Sequence, residues 1–464
     1  MKRWITVILG ISLSLSLAAI SLQESLEMAL KNNNELLMAK EEVYKAEQTY
    51  REVRGSLLPQ VALQGNYALS KTYLPDSATG GMPSVSSMLD ASTATDNENT
   101  IAGALDGILA GIMPGSPQEE GSLAMQLKMD QVLFLGGKLV NGIRAVDRYR
   151  SIQKLSYELV EEEVILATTK AFYQVILAGK LADIQQEGLH TAQRHLQRVE
   201  LMHREGQLSE FELLGARLEV ARLEPQVLAA QNQYDLALAA FRQRIGAEDS
   251  SLVPEGEFVL PQVEVPSLEE AQRQGLQNRI ELELLDIATG IKELQYKAEK
   301  GNFLPNVALS ASASLFSAAD EYAIQRDDFG RQYSIGIGFS LPIFTGLSNS
   351  AKISYARHDL AQAKLQERDS QELIELQIKQ SHQKLTHALE NYAVQEQNIQ
   401  MAQRNLELAQ LRFENQVGIQ LEVFDAQITL SSIQLQFNSA IYEVIAAERE
   451  YTKAIGQKMI VEKI

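Results

Sequence analysis

The chain has 464 residues, 45% of them hydrophobic and 22% charged, which is the composition of a folded protein. Its formal net charge of −18 excludes an ordinary nucleic-acid binder, because a phosphate backbone rewards clustered Lys and Arg. With no cysteine there are no disulfides, zinc–thiolate sites, cysteine nucleophiles or lipids carried on an N-terminal Cys.

Met1, Lys2 and Arg3 form a basic start, and an apolar run over 4–17 leads to the small residues Ala18 and Ala19. This layout predicts a secretory signal peptide over 1–19, cleaved near Ala18 or Ala19. An uncleaved anchor is the alternative, but the run is shorter than the roughly 20 residues a spanning helix needs. No later segment reads as a transmembrane helix. The chain is expected to be exported.

A first structural repeat is expected over 20–246. A helix over about 34–56 stops at Pro59, because the residue before proline is pushed out of the α region. Strict alternation over about 61–71 and again over about 122–133 predicts two strands. The segment 70–122 between them is rich in Ser, Thr, Gly, Asp and Asn and reads as an extracellular loop insertion. Its apolar centre, 101–113, either covers a barrel mouth, touches lipid, or packs against neighbouring loops. A helix over 138–205 follows, about 100 Å long at the α-helical rise. Gly206, Gln207, Leu208 and Ser209 break it, and a return helix over 208–245 ends at Gly246, a C′ glycine. Pro225 should kink or break that return helix.

A linker over 247–266 carries Pro254, Gly256, Pro261 and Pro266 and reads as extended. A second repeat over 267–456 runs through a helix at about 278–301, Pro305, strands at about 306–316 and 332–343, and a helix over 348–416. A break at Gly418, Ile419 and Gln420 and a return helix over 420–455 complete it, leaving a tail at 457–464.

The two repeats share wording. Leu57-Leu58-Pro59-Gln60-Val61-Ala62-Leu63 is echoed by Phe303-Leu304-Pro305-Asn306-Val307-Ala308-Leu309, 246 residues later (305 − 59). Leu133-Phe134-Leu135-Gly136-Gly137 is echoed by Ile343-Phe344-Thr345-Gly346-Leu347 at an offset of 210 (344 − 134), which also links Ala216 to Ala426 and Gly246 to Gly456. The two offsets differ by 36, the extra chain of the insertion.

Each strand has an apolar and a polar face and about 10 residues, the length of a tilted membrane strand. The apolar face would meet lipid and the polar face, with Lys128 and Asp130, a wet lumen. A soluble sheet packed on another layer is the alternative. Four strands cannot close a barrel, and open edges in lipid leave backbone groups unpaired. Copies must pool strands. Two copies make eight, which fill their interior with side chains, and three make twelve, which leave an opening.

The long helices carry near-heptad apolar positions, Leu406, Ala409, Phe413 and Val417, and fold back as antiparallel coiled coils. A non-channel envelope coiled-coil protein is the alternative reading. The histidine pairs 190/195 and 382/387 are five apart and fall on different helix faces, so no metal site is expected. No phosphate loop, nucleophile elbow or catalytic carboxylate pair points to an enzyme or a cofactor.

The order short helix, strand, strand, long helix, turn and return helix, repeated twice, resembles the TolC family of outer-membrane factors. The resemblance rests on Leu58-Pro59, Leu304-Pro305, Phe134-Leu135-Gly136-Gly137, Pro342-Ile343-Phe344-Thr345-Gly346, and Gln416-Val417-Gly418 leading to Glu422-Val423-Phe424-Asp425-Ala426. It implies an α+β membrane protein: a homotrimer whose 12-stranded outer-membrane barrel, four strands per chain, continues into a long α-helical coiled-coil periplasmic barrel. It implies partners too: outer-membrane lipid, a periplasmic membrane-fusion adaptor and, indirectly, an inner-membrane pump of RND or ABC type or a secretion transporter. The exit duct would be passive. Adaptor contacts would fall at the hairpin tips, Gly206, Gln207, Leu208, Val417, Gly418 and Ile419. Glu422 and Asp425 match the family's acidic periplasmic gate, and the repeat puts Glu212 opposite Glu422, with Gly215 in place of Asp425. Solvated helix-tip charges are the alternative for these three.

Overall fold

The computed structural model describes residues 18–72, 85–89, 95–112, 118–247, 251–258, 260–261, 265–319, 329–415 and 417–459. Most of the expected leader lies outside the described residues. In chain order the elements are β1 (Ala18–Ile20), α1 (Leu22–Asn32), α2 (Asn34–Gly55), β2 (Gln60–Thr72), α3 (Asp96–Ile112), β3 (Gln118–Leu135), α4 (Lys138–Arg204), α5 (Glu210–Arg244), β4 (Leu252–Pro254), α6 (Leu268–Asn278), α7 (Ile280–Lys300), β5 (Asn306–Ala319), β6 (Phe329–Ser340), α8 (Ser348–Glu414) and α9 (Gln420–Ala454). Two compact units form. One takes Met1–Tyr50, Arg144–Glu293 and Ala356–Ile464, and the other Arg51–Ile143 and Leu294–Tyr355.

The smaller unit is a four-stranded antiparallel sheet in the order β2-β3-β5-β6. The insertion between β2 and β3 is not all loop, because α3 occupies its centre. Asp106 on α3 accepts from the backbone N–H groups of Val85 and Ser86 at 2.6 and 3.1 Å, which ties a short 3₁₀ turn to the helix.

The larger unit is helical, and its two halves build the same core. Val164, Val175, Ala178, Ala237, Phe241 and Ile245 are buried together in one cluster. Ile374, Leu385, Ala388, Ala447, Tyr451 and Ile455 are buried in another, each 210 residues later (385 − 175). The edge-to-face pair Phe172–Phe241, with centroids 6.0 Å apart, is matched by His382–Tyr451, also 6.0 Å apart. The imidazole at 382 has a polar duty, its Nε2 lying 2.9 Å from the Pro266 carbonyl.

Helix ends follow the same plan. Ser21 and Ser267 cap α1 and α6, with backbone N–H donors of Glu24 and Glu270. Gly246 and Gly456 take φ of 62° and 68° after α5 and α9. An added Cβ at Gly246 would lie 2.8 Å from Asn32 Cβ, and at Gly456 2.7 Å from the Asn278 carbonyl carbon. Both the backbone conformation and the space require glycine there.

Several expectations are extended or corrected. The chain before α2 and α7, to which the sequence reading assigned no element, forms separate helices, α1 and α6. The linker, read as extended, holds a strand, β4, paired in parallel with β1, so Ala18 and Ala19 lie opposite Leu252 and Val253. Pro225 does not break α5, which is continuous over Glu210–Arg244. The carbonyl that loses its donor, on Ala221, lies on an exposed stretch where solvent can serve it. An 18-residue window of α4 has a mean hydropathy of 1.3, apolar enough to cross a membrane by composition alone. Half of that window is buried inside the protein, as in the core helix of a globular domain. The tail is anchored too, with Met459 buried against Leu26, Ile165 and Leu166.

One ionic cluster joins the halves. Glu450 on α9 binds Lys170 on α4 and, at 2.6 Å, Lys384 on α8. Burial works against the carboxylate, but hydrogen bonds from the two lysines hold its pKa below the ordinary 4.5. Its contribution is therefore present above the ordinary carboxylate range and is lost as pH falls below it. Replacing Glu450 with Gln should cost about 1–3 kcal/mol by leaving both lysines without their anion. Thermal unfolding at neutral pH should show the loss, and the gap from wild type should narrow in acid.

Candidate functional site at the sheet face and the hairpin tips

Register sorts the sheet into two chemically different faces. Across the four strands, Val61–Met129–Ala311–Ile335 and Leu63–Leu127–Ala313–Tyr333 lie in rows on one face. Gln60–Asp130–Ser310–Gly336, Ala62–Lys128–Ser312–Ser334 and Gln64–Gln126–Ser314–Gln332 lie in rows on the other. The apolar face has no cover in the single chain: Leu63 is 66% exposed, Ile335 79% and Phe339 80%. A contiguous surface of this kind marks an interaction site rather than ordinary protein surface. On the polar face Lys128 and Asp130 form a 2.9 Å ion pair and largely neutralise each other. Ser312 and Ser334 share a 2.8 Å hydrogen bond. β2 and β6 are the edges, each with one neighbouring strand.

The two helical hairpins end differently. At the first tip Gly206 turns the chain with φ of 74°, and Ser209 caps α5. The Ser209 N–H donates to the Glu212 carboxylate at 2.8 Å, and the Glu212 N–H donates back to Ser209 Oγ at 3.4 Å. The Glu212 carboxylate is thus engaged in a capping box. At the second tip the equivalent cap position is Ile419, which offers no side-chain acceptor. Glu422, equivalent to Glu212, reaches Arg412 on α8 instead, at 3.5 Å. Asp425 is exposed, and its carboxylate has no ion pair among the described residues. Glu422 and Asp425 sit three residues apart at the start of α9.

Apolar residues crowd both tips. Val417 and Ile419, read from the sequence as tip positions, are joined by Phe211, Leu214, Leu218 and Leu421, all exposed. A further pair escaped sequence reading: His195 of α4 stacks on Phe424 of α9, with centroids 5.1 Å apart and planes 19° apart. Nothing in the spacing of the two residues announces a contact across more than two hundred positions.

The model of the outer membrane efflux protein family matches residues 25–247 and 271–457, nearly the whole described chain. This chain belongs to the outer membrane efflux protein family. Family membership places it in the outer membrane as an efflux channel protein. It is 22% identical over 469 residues to the outer membrane protein TolC of Salmonella enteritidis, covering 98% of this chain and 86% of that protein. It is 25% identical over 347 residues to the outer membrane efflux protein BepC of Brucella suis, covering 73% of this chain and 72% of that protein. Its fold is similar to the Campylobacter jejuni CmeC outer membrane channel, with a TM-score of 0.75 and 18% identity over 95% of this chain and 88% of that one. VceC of Vibrio cholerae is also similar, with a TM-score of 0.69 and 16% identity over 94% of this chain and 96% of that one.

The uncapped second tip generates a test. Replacing Ile419 with Ser recreates the Ser-x-x-Glu box of the first tip and should draw Glu422 away from Arg412. The gain should be about 1 kcal/mol at the start of α9. Amide hydrogen exchange at Leu421 and Glu422 should slow accordingly, with α5 unaffected.

Proposed function

We propose that three copies of this chain assemble into a passive exit duct, a 12-stranded barrel continued by a helical tunnel, that takes substrate from an inner-membrane pump through a periplasmic adaptor. The observation that carries the reading is the open sheet with one uncovered apolar face. In lipid each unpaired backbone group on the edges costs several kcal/mol, so the edges of β2 and β6 need each other across copies. Three copies make twelve strands and leave a lumen.

An internal duplication supports this and supplies a register. The pair Val61↔Met129 recurs as Val307↔Phe339, at offsets of 246 and 210. Moving β3 forward by 210 and β5 back by 246 turns Lys128↔Ser312 into Gly338 opposite Asn66, and Leu127↔Ala313 into Ile337 opposite Tyr67. Polar then meets polar and apolar meets apolar across the seam. The same operation carries the close approach of Gly136 and Gly301 to Gly346 and Gly55, neither of which has an atom near its Cβ position in the single chain.

In this reading the apolar tips, with Gly206, Gln207, Leu208, Val417, Gly418 and Ile419, receive the adaptor. Glu422 and Asp425 from three copies ring the periplasmic end and favour cations, while Glu212 serves its cap. The family's relatives are channels rather than enzymes, which supports a conducting role over a catalytic one.

Two measurements test it. The chain has no cysteine, so Gly338→Cys with Asn66→Cys should give oxidation-dependent covalent oligomers. Gly338→Cys with Tyr67→Cys, one residue out of register, should not, because adjacent residues face opposite sides. In planar bilayers, Glu422→Gln with Asp425→Asn should lower the cation-to-anion permeability ratio several-fold, on the order expected for losing fixed charge at a constriction. Unchanged selectivity would remove these residues from the gate.

A further inference from the structure

The second hairpin is fastened to the first by a titratable group. His195 sits on α4 with its ring against Phe424 of α9, and its Nδ1 is buried with no hydrogen-bond partner among the described residues. Phe424 adjoins Asp425 and lies two residues from Glu422. Beneath the stack, Leu189, Ala192 and Leu223 are buried, with Val220 and Val227 of α5 packed against them. Beside it lies a cavity of about 510 Å³ between α4, α8 and α9.

The charges that face the imidazole are unevenly distributed. From α4 the cavity receives Glu187, Arg194 and Arg198. Glu187 is bound to Arg194 at 3.2 Å, and Arg198 has no ion pair among the described residues. From α8 it receives Gln410 and Phe413, and from α9 Gln420, Val423 and Gln427, none of them charged. From α5, Arg222 lines the adjoining cavity and is paired with Glu219. Among these groups, no free carboxylate waits to receive a protonated His195. The contact also occurs once per chain: 210 residues on from His195 stands Asn405, and 210 back from Phe424 stands the exposed Leu214.

We propose that the His195–Phe424 stack is a proton-sensitive clasp, which holds the start of α9 and its acidic residues against α4 at neutral pH and releases them in acid. The proposal rests on the channel reading above and names a regulator of its gate. Burial, and secondarily the Arg198 guanidinium, push the His195 pKa below its ordinary 6.5, so the packed state prefers the neutral ring. A group lowered in the packed state and ordinary in the loosened one stabilises packing above about pH 6.5, and that stabilisation is lost as pH falls. Cation–π attraction to the Phe424 face works for the charged ring and offsets part of the loss, while the Arg198 guanidinium in the same cavity works against it.

Wild-type protein in planar bilayers should carry at least about threefold more current at about pH 5.5 than at about pH 7.5. His195→Phe keeps a ring on Phe424 without a titrating nitrogen and should flatten that profile. His195→Asn, the residue of the equivalent position in the second half, should flatten it as well if the Phe variant folds poorly. The double variant Glu422→Gln, Asp425→Asn should keep the pH step. A second readout needs no current: spin labels on Gln207→Cys and Ile419→Cys, diluted with unlabelled chain, should move apart on acidification in the wild-type background and stay fixed with His195→Phe. A wild-type profile retained by His195→Phe, or a label distance indifferent to pH, overturns the clasp. Absence of current at every pH, with labels that still move, counts against the channel reading and for the clasp.

Discussion

Backbone hydrogen-bonding groups that cannot reach water must find partners, and in the proposed membrane barrel the four-stranded sheet brings two rows of them, along β2 and β6. This constraint organises much of the molecule. In the proposed barrel the apolar face, with Ile335, Ile337 and Phe339, meets hydrocarbon rather than a second layer of protein, which is why it can stay uncovered in the single chain. The same setting explains why both faces keep strict alternation through four strands, since a slip of one residue would turn the polar rows outward.

The helical unit solves a different problem. Helices of 67 residues cannot be held by a single globular core. They are clamped by two equivalent clusters, one per half, which use the same positions 210 residues apart. Differences between the halves are then informative. Phe172 becomes His382, which takes a backbone carbonyl as partner. Ser209 becomes Ile419, which leaves one helix start uncapped. Asn405 stands where His195 does, so only one side of the repeat carries an aromatic clasp. The clamps keep their chemistry while the tips diverge, which agrees with the functional role proposed for the tips.

Much of this was legible in the residues. Alternation announced each strand because one face is apolar and the other polar over its whole length. Proline and glycine announced the ends of the long helices because those residues restrict or free the backbone locally. What was missed has physical reasons. Single residues, Asn33 and Arg279, separate α1 from α2 and α6 from α7, too short a break to appear as coil. Asn33 makes its turn with a side chain that binds Arg244 and Leu36 backbone atoms, a tertiary role invisible to spacing. The glycine-rich α3 reads as loop by composition, and its helix is tied down by Asp106 from a distance. Pro225 reads as a breaker, yet exposure makes its missing hydrogen bond cheap.

By itself the sequence determined the pattern of two repeats, four two-faced strands and two helical hairpins, because these follow from local periodicity and from backbone stereochemistry. It also determined that four strands could not close alone. Only the tertiary structure decided which distant charges meet, as Glu450 does between Lys170 and Lys384. It alone brought His195 to Phe424. Those outcomes depend on distances between residues far apart in the chain, and a sequence pattern carries no distance beyond its own helix or strand.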